Sequence, residues 1–295
     1  MTLATRPASS ATVAVVASRL RADEKRILEA LEQRGLSYEF VDSRALWRGL
    51  QESGVPWSIV LNREIGQARA LYAARALEAA GATVVNSARA IDLCGDKYRT
   101  SVALRDAGLP TPRTALALTP EAAVDALEAI GYPAVVKPLT GSWGRLVSKL
   151  PDAETARTVL EYIAALPSPT AHIVYVQELV RKPDRDIRVI VVGDEVLGAV
   201  YRRSDEWRTN VARGAETTPC EPTEEMVKLA VGAAQSVHAD IAGVDLVEDA
   251  EGRLLVLEVN HGVEFSGFQR AVGPERPVAD RIVDHLFVRA QSCFE

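Results

Sequence analysis

The residues best suited to chemistry lie in LEVNHGVEF, residues 257–265. Glu258 and Asn260 stand two apart in an apolar strand, so their side chains leave the same face. Val256, Leu257 and Val259 around them are apolar, which makes an acid and an amide there costly unless something satisfies them. Asp245 sits likewise inside the apolar strand GVDLV. These three oxygen donors on paired strands could hold Mg²⁺, a hard cation that takes carboxylate oxygen and shares its sphere with phosphates. The plainer alternative is that they are edge-strand residues bonded to loops.

A second candidate is AVVKPLTGSWGRLVSK, 134–149. Lys137 ends a strand of buried type, where an unpaired ammonium is expensive. The loop after it carries Gly141 and Gly144, which let backbone N–H groups approach a phosphate. A lysine before a proline can also simply snorkel, and glycines can mark plain turns. Lys97 in GDKYRTS stands near a helix start, where a solvated lysine is the alternative. In VQELVRKPDRDIRVIVVG a strand runs into Glu178-Leu179-Val180 and a Lys-Pro turn, which could offer backbone groups to an adenine edge; spacing alone does not decide it. In YRRSDEWRTNVARGA, 201–215, Arg202, Arg203, Asn210 and Arg213 cluster before a glycine. Their guanidinium forks suit carboxylate or phosphate oxygens, and a solvated loop is the alternative.

Three stretches have the glycine spacing of a phosphate-binding P-loop, but Val55, Ala199 and Phe268 follow where Lys is required. The chain also lacks GxGxxG after its first strand and GxSxG anywhere. A nucleotide, if bound, is held another way.

The elements that must position these residues alternate at first. VAVVAS, SYEFVD and WSIVLNR read as strands and residues 22–34 and 67–80 as helices, which predicts a small open parallel sheet. GDKYRTSVALRDAGLPTP is a helix stopped by Gly108 and two prolines; TALAL, a helix from Thr119 and the strand PAVVKP follow. From about Ile173 the chain is strand-rich. A helix over 221–237 precedes IAGVDLVED and RLLVLEVN, an expected antiparallel pair, and the last helix spans about 278–289. At 295 residues the chain is long for one core, which favours several α/β lobes.

Hydrophobic residues at 47% and charged residues at 25% exclude a disordered chain. No apolar run approaches the roughly 18–20 residues that span a bilayer. The N-terminal apolar stretch, Val13 to Ala17, is too short for an export signal and runs at once into RLRADEKR. Cys94, Cys220 and Cys293 are odd in number and far apart, which predicts no disulfide framework and a cytoplasmic setting. The four histidines show no metal spacing. A net charge of −6 disfavours nucleic acid, yet 181–213 holds eight basic residues against six acids, a local hint of an anionic ligand.

The order of the motifs along the chain, namely Lys97, Lys137 with its glycine loop, QELV, DIR, RR, NxxRG, AGVD and LEVN, resembles the ATP-grasp superfamily. Within it the chain is most similar to the branch of the ribosomal protein S6 glutamate ligase and the lysine-biosynthesis ligase that joins α-aminoadipate to an amino-group carrier protein. CGDKYRTSVAL, KPLTGSWGRL, RDIRVIVVG and YRRS look like the carrier-protein ligase in particular, and GSWGR is shorter than the S6 ligase loop.

The resemblance implies an α/β ATP-grasp fold: an N-terminal open parallel α/β lobe (1–95), a small central lobe (96–175) and a C-terminal antiparallel-sheet lobe with the metal site (176–295), with ATP between the last two. It implies that Lys97 and Lys137 contact ATP phosphates under the loop Gly141, Ser142, Trp143, Gly144 and Arg145. Gln177, Glu178, Leu179 and Val180 would cradle adenine, with Asp186 and Arg188 near ribose or phosphate. Asp245, Glu258 and Asn260 would hold two Mg²⁺ ions, with Mn²⁺ as a substitute. Arg202, Asn210 and Arg213 would steady the γ-phosphate and an acyl phosphate.

The implied partner is a small acidic amino-group carrier protein whose C-terminal glutamate supplies the carboxylate. The amine comes from an amino acid such as α-aminoadipate or glutamate, and the implied assembly is a dimer or tetramer. His261, Glu264, Phe265 and Ser266 fall where the family selects the amino acid. There HGVEFSGFQ departs from the aminoadipate-type pattern at Gly262, Val263, Ser266 and Gly267, which unsettles α-aminoadipate as the default. Arg- and Ala-rich usage suggests a high-GC bacterium and is compatible with secondary metabolism. The rival readings are a glutamate ligase that acts without a carrier and a nucleotide-binding regulator that has lost catalysis.

Overall fold

A computed structural model describes residues 13–141, 144–204, 207, 216–275 and 277–291. The chain divides into two compact units, one taking the residues up to Ala88 and from Pro277 on, the other Arg89–Arg276. In the first, β1 (Val13–Ala17), β2 (Tyr38–Asp42), β3 (Ile59–Asn62) and β4 (Thr83–Val85) make a parallel sheet in the order β2-β1-β3-β4. Every residue of β1 and β3 is buried, the pattern of parallel strands covered on both faces. The helices α1 (Ala22–Gln33) and α2 (Gln67–Ala79) supply Ile27, Leu31, Ala74 and Leu77 to this core at helical spacing.

The second unit opens with α3 (Ala88–Cys94) and α4 (Lys97–Asp106). The Asp96 side chain caps α4 by accepting from the Arg99 N–H at 3.0 Å, which fixes where Lys97 starts the helix. Then come β5 (Thr114–Ala117), α5 (Pro120–Ile130), β6 (Ala134–Lys137), β7 (Ser148–Leu150), α6 (Ala153–Ala164) and β8 (Val174–Glu178). Their antiparallel sheet runs β5-β8-β6-β7. Ala134, Val136, Val174 and Val176 turn one face of it onto α5 and α6. The alternate residues, Lys137, Tyr175 and Gln177, leave the other face. Because β8 lies inside this sheet, the sheet extends past residue 175, where the sequence placed the lobe boundary.

The remaining strands are β9 (Arg185–Val192), β10 (Glu195–Arg203), β11 (Glu216–Cys220), β12 (Ile241–Glu248) and β13 (Leu254–Asn260), with α7 (Glu224–Ser236) and α8 (Ser266–Val272). They form an antiparallel sheet in the order β11-β10-β9-β12-β13, which contains the expected β12–β13 pair. Gly193, at φ +60°, makes the tight β9–β10 turn with Asp194. Ile187, Val189, Val191, Ala199, Val244 and Val256 pack with Leu229, Ala230 and Ala233 of α7, so one face is core. Cys94 and Cys220 are free thiols buried in this core.

The last helix, α9 (Val278–Gln291), corrects the sequence expectation for the third lobe: it belongs to the first unit and packs on α1 and β3. Ile282, Val283 and Leu286 form its buried stripe, and Arg34 after α1 bonds Asp280 at 2.6 Å and Asp284 at 2.9 Å. An amphipathic stripe says that a helix packs, not on which sheet. No helix among the described residues is long and apolar enough to cross a membrane. Leu286→Ala should destabilise the first unit by roughly 2–4 kcal/mol, whereas Val288→Ala on the same helix, 59% exposed, should stay within about 0.5 kcal/mol; chemical denaturation measures both.

Candidate active site

The face of the C-terminal sheet opposite α7 carries Asp186 and Arg188 from β9, Arg202 from β10, Asp245 from β12, and Glu258 and Asn260 from β13. Register sets this up: Asp186 is paired with Arg202, Arg188 with Asp245, and Asp245 with Glu258. A bulge between Asp245 and Leu246 leaves Leu257 as the extra residue on β13. That bulge shifts the alternation, so core packing by Leu254 and Val256 gives way to Glu258 and Asn260 facing outward beside Asp245. Strand alternation turns Arg203 to the other side, its guanidinium 5.8 Å from the Tyr201 ring centre, so it leaves the cluster the sequence placed it in.

Asp245 is only 3% exposed. Arg188 grips it with a fork, Nε on one oxygen and Nη2 at 2.9 Å on the other. Arg202 reaches the same carboxylate at 3.1 Å and forks onto Asp186 at 2.6 and 2.8 Å. Burial pushes the Asp245 carboxyl upward, but the two arginines outweigh it and hold the group below its ordinary value. The same balance works on Arg202: burial disfavours its charge, and Asp245 and Asp186 more than restore it. Removing one member would strand its partners' charges, at a cost of roughly 3–5 kcal/mol.

Two lysines approach from the other side of the unit. Lys137 at the end of β6 donates to Gln177 Oε1 at 2.6 Å. Burial lowers its pKa to about 8, partly offset by the Glu258 charge. Lys97 donates to the Gly141 carbonyl at 2.8 Å and stands 3.6 Å from Glu258, while its backbone N–H bonds the Leu139 carbonyl at 2.9 Å. Lys97 thus pins the start of the glycine loop by side chain and backbone together. Gly141 and Gly144 take φ of +143° and +64°, open to glycine and strained for other residues, and Arg145 is exposed.

Other expected residues are placed differently. Gln177 turns its side chain away from the Glu178–Val180 edge, into the sheet toward Lys137. Glu178 accepts from the Arg113 N–H and Nε, each at 2.8 Å, and the Leu179 N–H donates to the Pro133 carbonyl at 3.2 Å. Asp186 and Arg188 are engaged with Arg202 and Asp245 rather than turned outward. Of the residues after Asn260, His261 and Ser266 are half-buried and Glu264 is exposed. Phe265 is a correction: its side chain is 0% exposed, so it anchors the entry to α8 and cannot face a substrate. Ser142, Trp143, Asn210 and Arg213 lie outside the described residues. Tyr175 and Thr114, which bond Gln177, Ser101, which bonds Tyr175, and Gly243 under Arg188 carry no signal in the sequence.

The donor chemistry fits Mg²⁺. Asn260 Nδ2 donates to the Gly243 carbonyl at 3.3 Å, which turns Oδ1 out as an acceptor beside the part-exposed Glu258 carboxylate. Mg²⁺ typically takes one or two carboxylates and completes its sphere with phosphate and water. Glu258 and Asn260 would hold it, whereas Asp245 is engaged by both arginines. Among the described residues no three carboxylate, imidazole or thiolate groups form a closed cage.

Gly243 keeps this face in order. A Cβ there would lie 2.9 Å from Arg188 Nη1 and 3.3 Å from its Cδ, so the arginine rests flat on the glycine while it grips Asp245. Gly243→Ala should displace the guanidinium from the buried Asp245, lowering the melting temperature and weakening binding of magnesium ADP by roughly tenfold, about 1.4 kcal/mol; thermal melts and calorimetric titration measure the two.

Residues 94–286 match the model of the RimK-like ATP-grasp domain, and residues 13–93 that of the LysX preATP-grasp domain. The chain is 33% identical over 276 residues to the glutamate–LysW ligase ArgX of Sulfurisphaera tokodaii, covering 93% of this chain and 97% of that protein. It is 34% identical over 256 residues to the α-aminoadipate–LysW ligase LysX of Sulfolobus acidocaldarius, covering 85% of this chain and 93% of that one. The crystal structure of a RimK domain ATP-grasp protein from Sphaerobacter thermophilus aligns with a TM-score of 0.75 at 25% identity, over 94% of this chain and 100% of that one. The two sheets with their facing lysines, arginines and carboxylates are therefore those of an ATP-grasp domain, and the chain belongs to the RimK-like ATP-grasp family.

Proposed function

We propose that this chain is an ATP- and Mg²⁺-dependent ligase that joins the α-amine of an amino acid to the C-terminal glutamate carboxylate of a small acidic amino-group carrier protein. The observation that carries the reading is the gathering of Lys97, Lys137, Glu258, Asn260 and the Arg188–Asp245–Arg202 cluster within one unit. Relatives that align over most of their own length and bear the names of LysW ligases support the carrier, and leave glutamate and α-aminoadipate as the leading amines. The departures at Gly262, Val263, Ser266 and Gly267 remove α-aminoadipate as the default amine. The working setting is amino-acid biosynthesis in the cytoplasm, as a homo-oligomer. Functionally the N-terminal, central and C-terminal lobes divide the work, with ATP between the last two.

In the reaction, the carrier carboxylate attacks the γ-phosphorus of ATP, which gives an acyl phosphate and ADP. The amino acid's amine then attacks the acyl carbon, the amide bond forms, and phosphate leaves. Such chemistry needs positioning and charge neutralisation, not a protein nucleophile. Lys97 and Lys137 would orient and neutralise the phosphates, and the backbone of Glu178 to Val180 would receive adenine. Arg202, braced by Asp186, would steady the transferring phosphoryl group, a role the family resemblance also gives to Asn210 and Arg213. Glu258 and Asn260 would hold Mg²⁺, which when bound would supply charge neutralisation at the phosphates.

With ATP, Mg²⁺, a purified carrier and an amino-acid panel, the intact mass of the carrier should rise by one amino-acid residue for one class of amino acid. Lys137→Ala and Glu258→Ala should each lower ADP release by roughly 10²–10³-fold. Near-normal turnover in either variant would contradict the assignment.

A further inference from the structure

Lys137 does not stand alone in the central sheet. Its ammonium donates to Gln177 Oε1 at 2.6 Å, and the other end of that amide, Nε2, donates to Tyr175 Oη at 2.8 Å and to Thr114 Oγ1 at 3.1 Å. Tyr175 Oη lies 2.9 Å from Ser101 Oγ. Tyr175 and Gln177 are 2% and 1% exposed, so each of these polar groups needs its partner.

The partners of the Gln177 amide fix which way it faces. The Thr114 hydroxyl donates to the Pro112 carbonyl at 2.9 Å, so toward Gln177 it accepts. Tyr175 Oη accepts from the amide and shares a hydrogen bond with Ser101 Oγ in which either hydroxyl can donate. With acceptors on its nitrogen side, the Gln177 amide is held with its oxygen toward Lys137. The reversed amide would set an N–H₂ against an ammonium, donor against donor, in a site with little water to relieve it.

Ser101 stands four residues after Lys97, on the same face of α4. The Tyr175 hydroxyl therefore sits where the helix carrying Lys97 meets the sheet carrying Lys137, and Tyr175 is the direct register partner of Lys137.

We propose that the Tyr175 hydroxyl is a positioning group for the reaction: through Ser101 and the Gln177 amide it fixes the Lys137 ammonium relative to Lys97, so that the two meet the nucleotide phosphates as a prealigned pair. The inference rests on the assignment of this face to ATP. Tyr175, only 2% exposed, acts through Gln177. Its ring, 5.9 Å from Lys137 Nζ at the centroid, is retained in Tyr175→Phe, so that variant isolates the hydroxyl.

The test is equilibrium binding of a non-hydrolysable ATP analogue with Mg²⁺, and of adenosine, to wild type, Tyr175→Phe, Gln177→Glu and the double variant, with a thermal melt of each. Loss of the hydroxyl should weaken the ATP analogue by roughly five- to twentyfold and leave adenosine within about twofold, because only the phosphates meet the lysines. A carboxylate at 177 presents oxygen to Lys137 whichever way it turns. In the Gln177→Glu background the same change should therefore cost less than about twofold.

Unchanged ATP-analogue binding in Tyr175→Phe, an equal loss for adenosine, or an undiminished loss in the Gln177→Glu background would overturn the proposal. Should Tyr175→Phe fail to fold, Ser101→Ala replaces it. It should weaken the ATP analogue by roughly two- to fivefold with adenosine unchanged, and no loss would overturn the proposal. Failure of the wild-type chain to bind the ATP analogue would instead strike the nucleotide assignment itself.

Discussion

A carboxylate inside an apolar strand must be compensated where it stands, and Asp245 is compensated by two arginines at once. The carboxylate is almost fully buried, and Arg188 from the adjacent β9 and Arg202 from β10, one strand further, converge on it. Both arginines depend on the register of the sheet, and Arg188 depends further on a glycine under its side chain. Without these constraints three strands would carry stranded charges across one apolar sheet. With them, the sheet keeps one face for α7 and leaves the other as a rigid, charged floor. Glu258 and Asn260 extend that floor at its edge, where their oxygens can reach a cation.

The lysines complete the floor with charge of the opposite kind and of a different sort. The arginines are saturated by carboxylates, whereas Lys137 is held by a neutral amide and Lys97 by a backbone carbonyl, with Glu258 at a looser 3.6 Å. Burial has already pulled the Lys137 pKa down to about 8, which marks an ammonium short of negative partners. A phosphate would supply them. The arginines are thus matched by buried carboxylates, whereas the two lysines keep a neutral amide, a carbonyl and one longer carboxylate contact.

Much of this could be read from residue types alone, for physical reasons that differ by residue. Asp245, Glu258 and Lys137 stood out because a charge in an apolar strand is costly wherever the strand lies. Their common purpose was visible only in the order of the motifs. That Asp245 and Glu258 face the same way depends on a bulge at Leu257, and no local pattern announces it. Ser101 and Tyr175 are 74 residues apart and look like ordinary core-boundary residues until the fold joins them. Asp186 and Arg188, expected near ribose or phosphate, are each paired with an opposite charge across the sheet, a pairing that only the strand register reveals. Phe265 was grouped with substrate-facing neighbours and is a core anchor, because a short loop alternates between burial and exposure. The last helix was misplaced since its apolar stripe fits either sheet, and the choice is made by tertiary packing and by Arg34.

The most direct test of the account is a trapping assay for the activated carboxylate. Enzyme, ATP, Mg²⁺ and the carrier are incubated with hydroxylamine in place of an amino acid, and the carrier and nucleotides are analysed by mass spectrometry and chromatography. The account predicts a hydroxamate at the carrier's C-terminal glutamate, formed one for one with ADP. Production of AMP and pyrophosphate, or ADP release with no hydroxamate on the carrier, would contradict it.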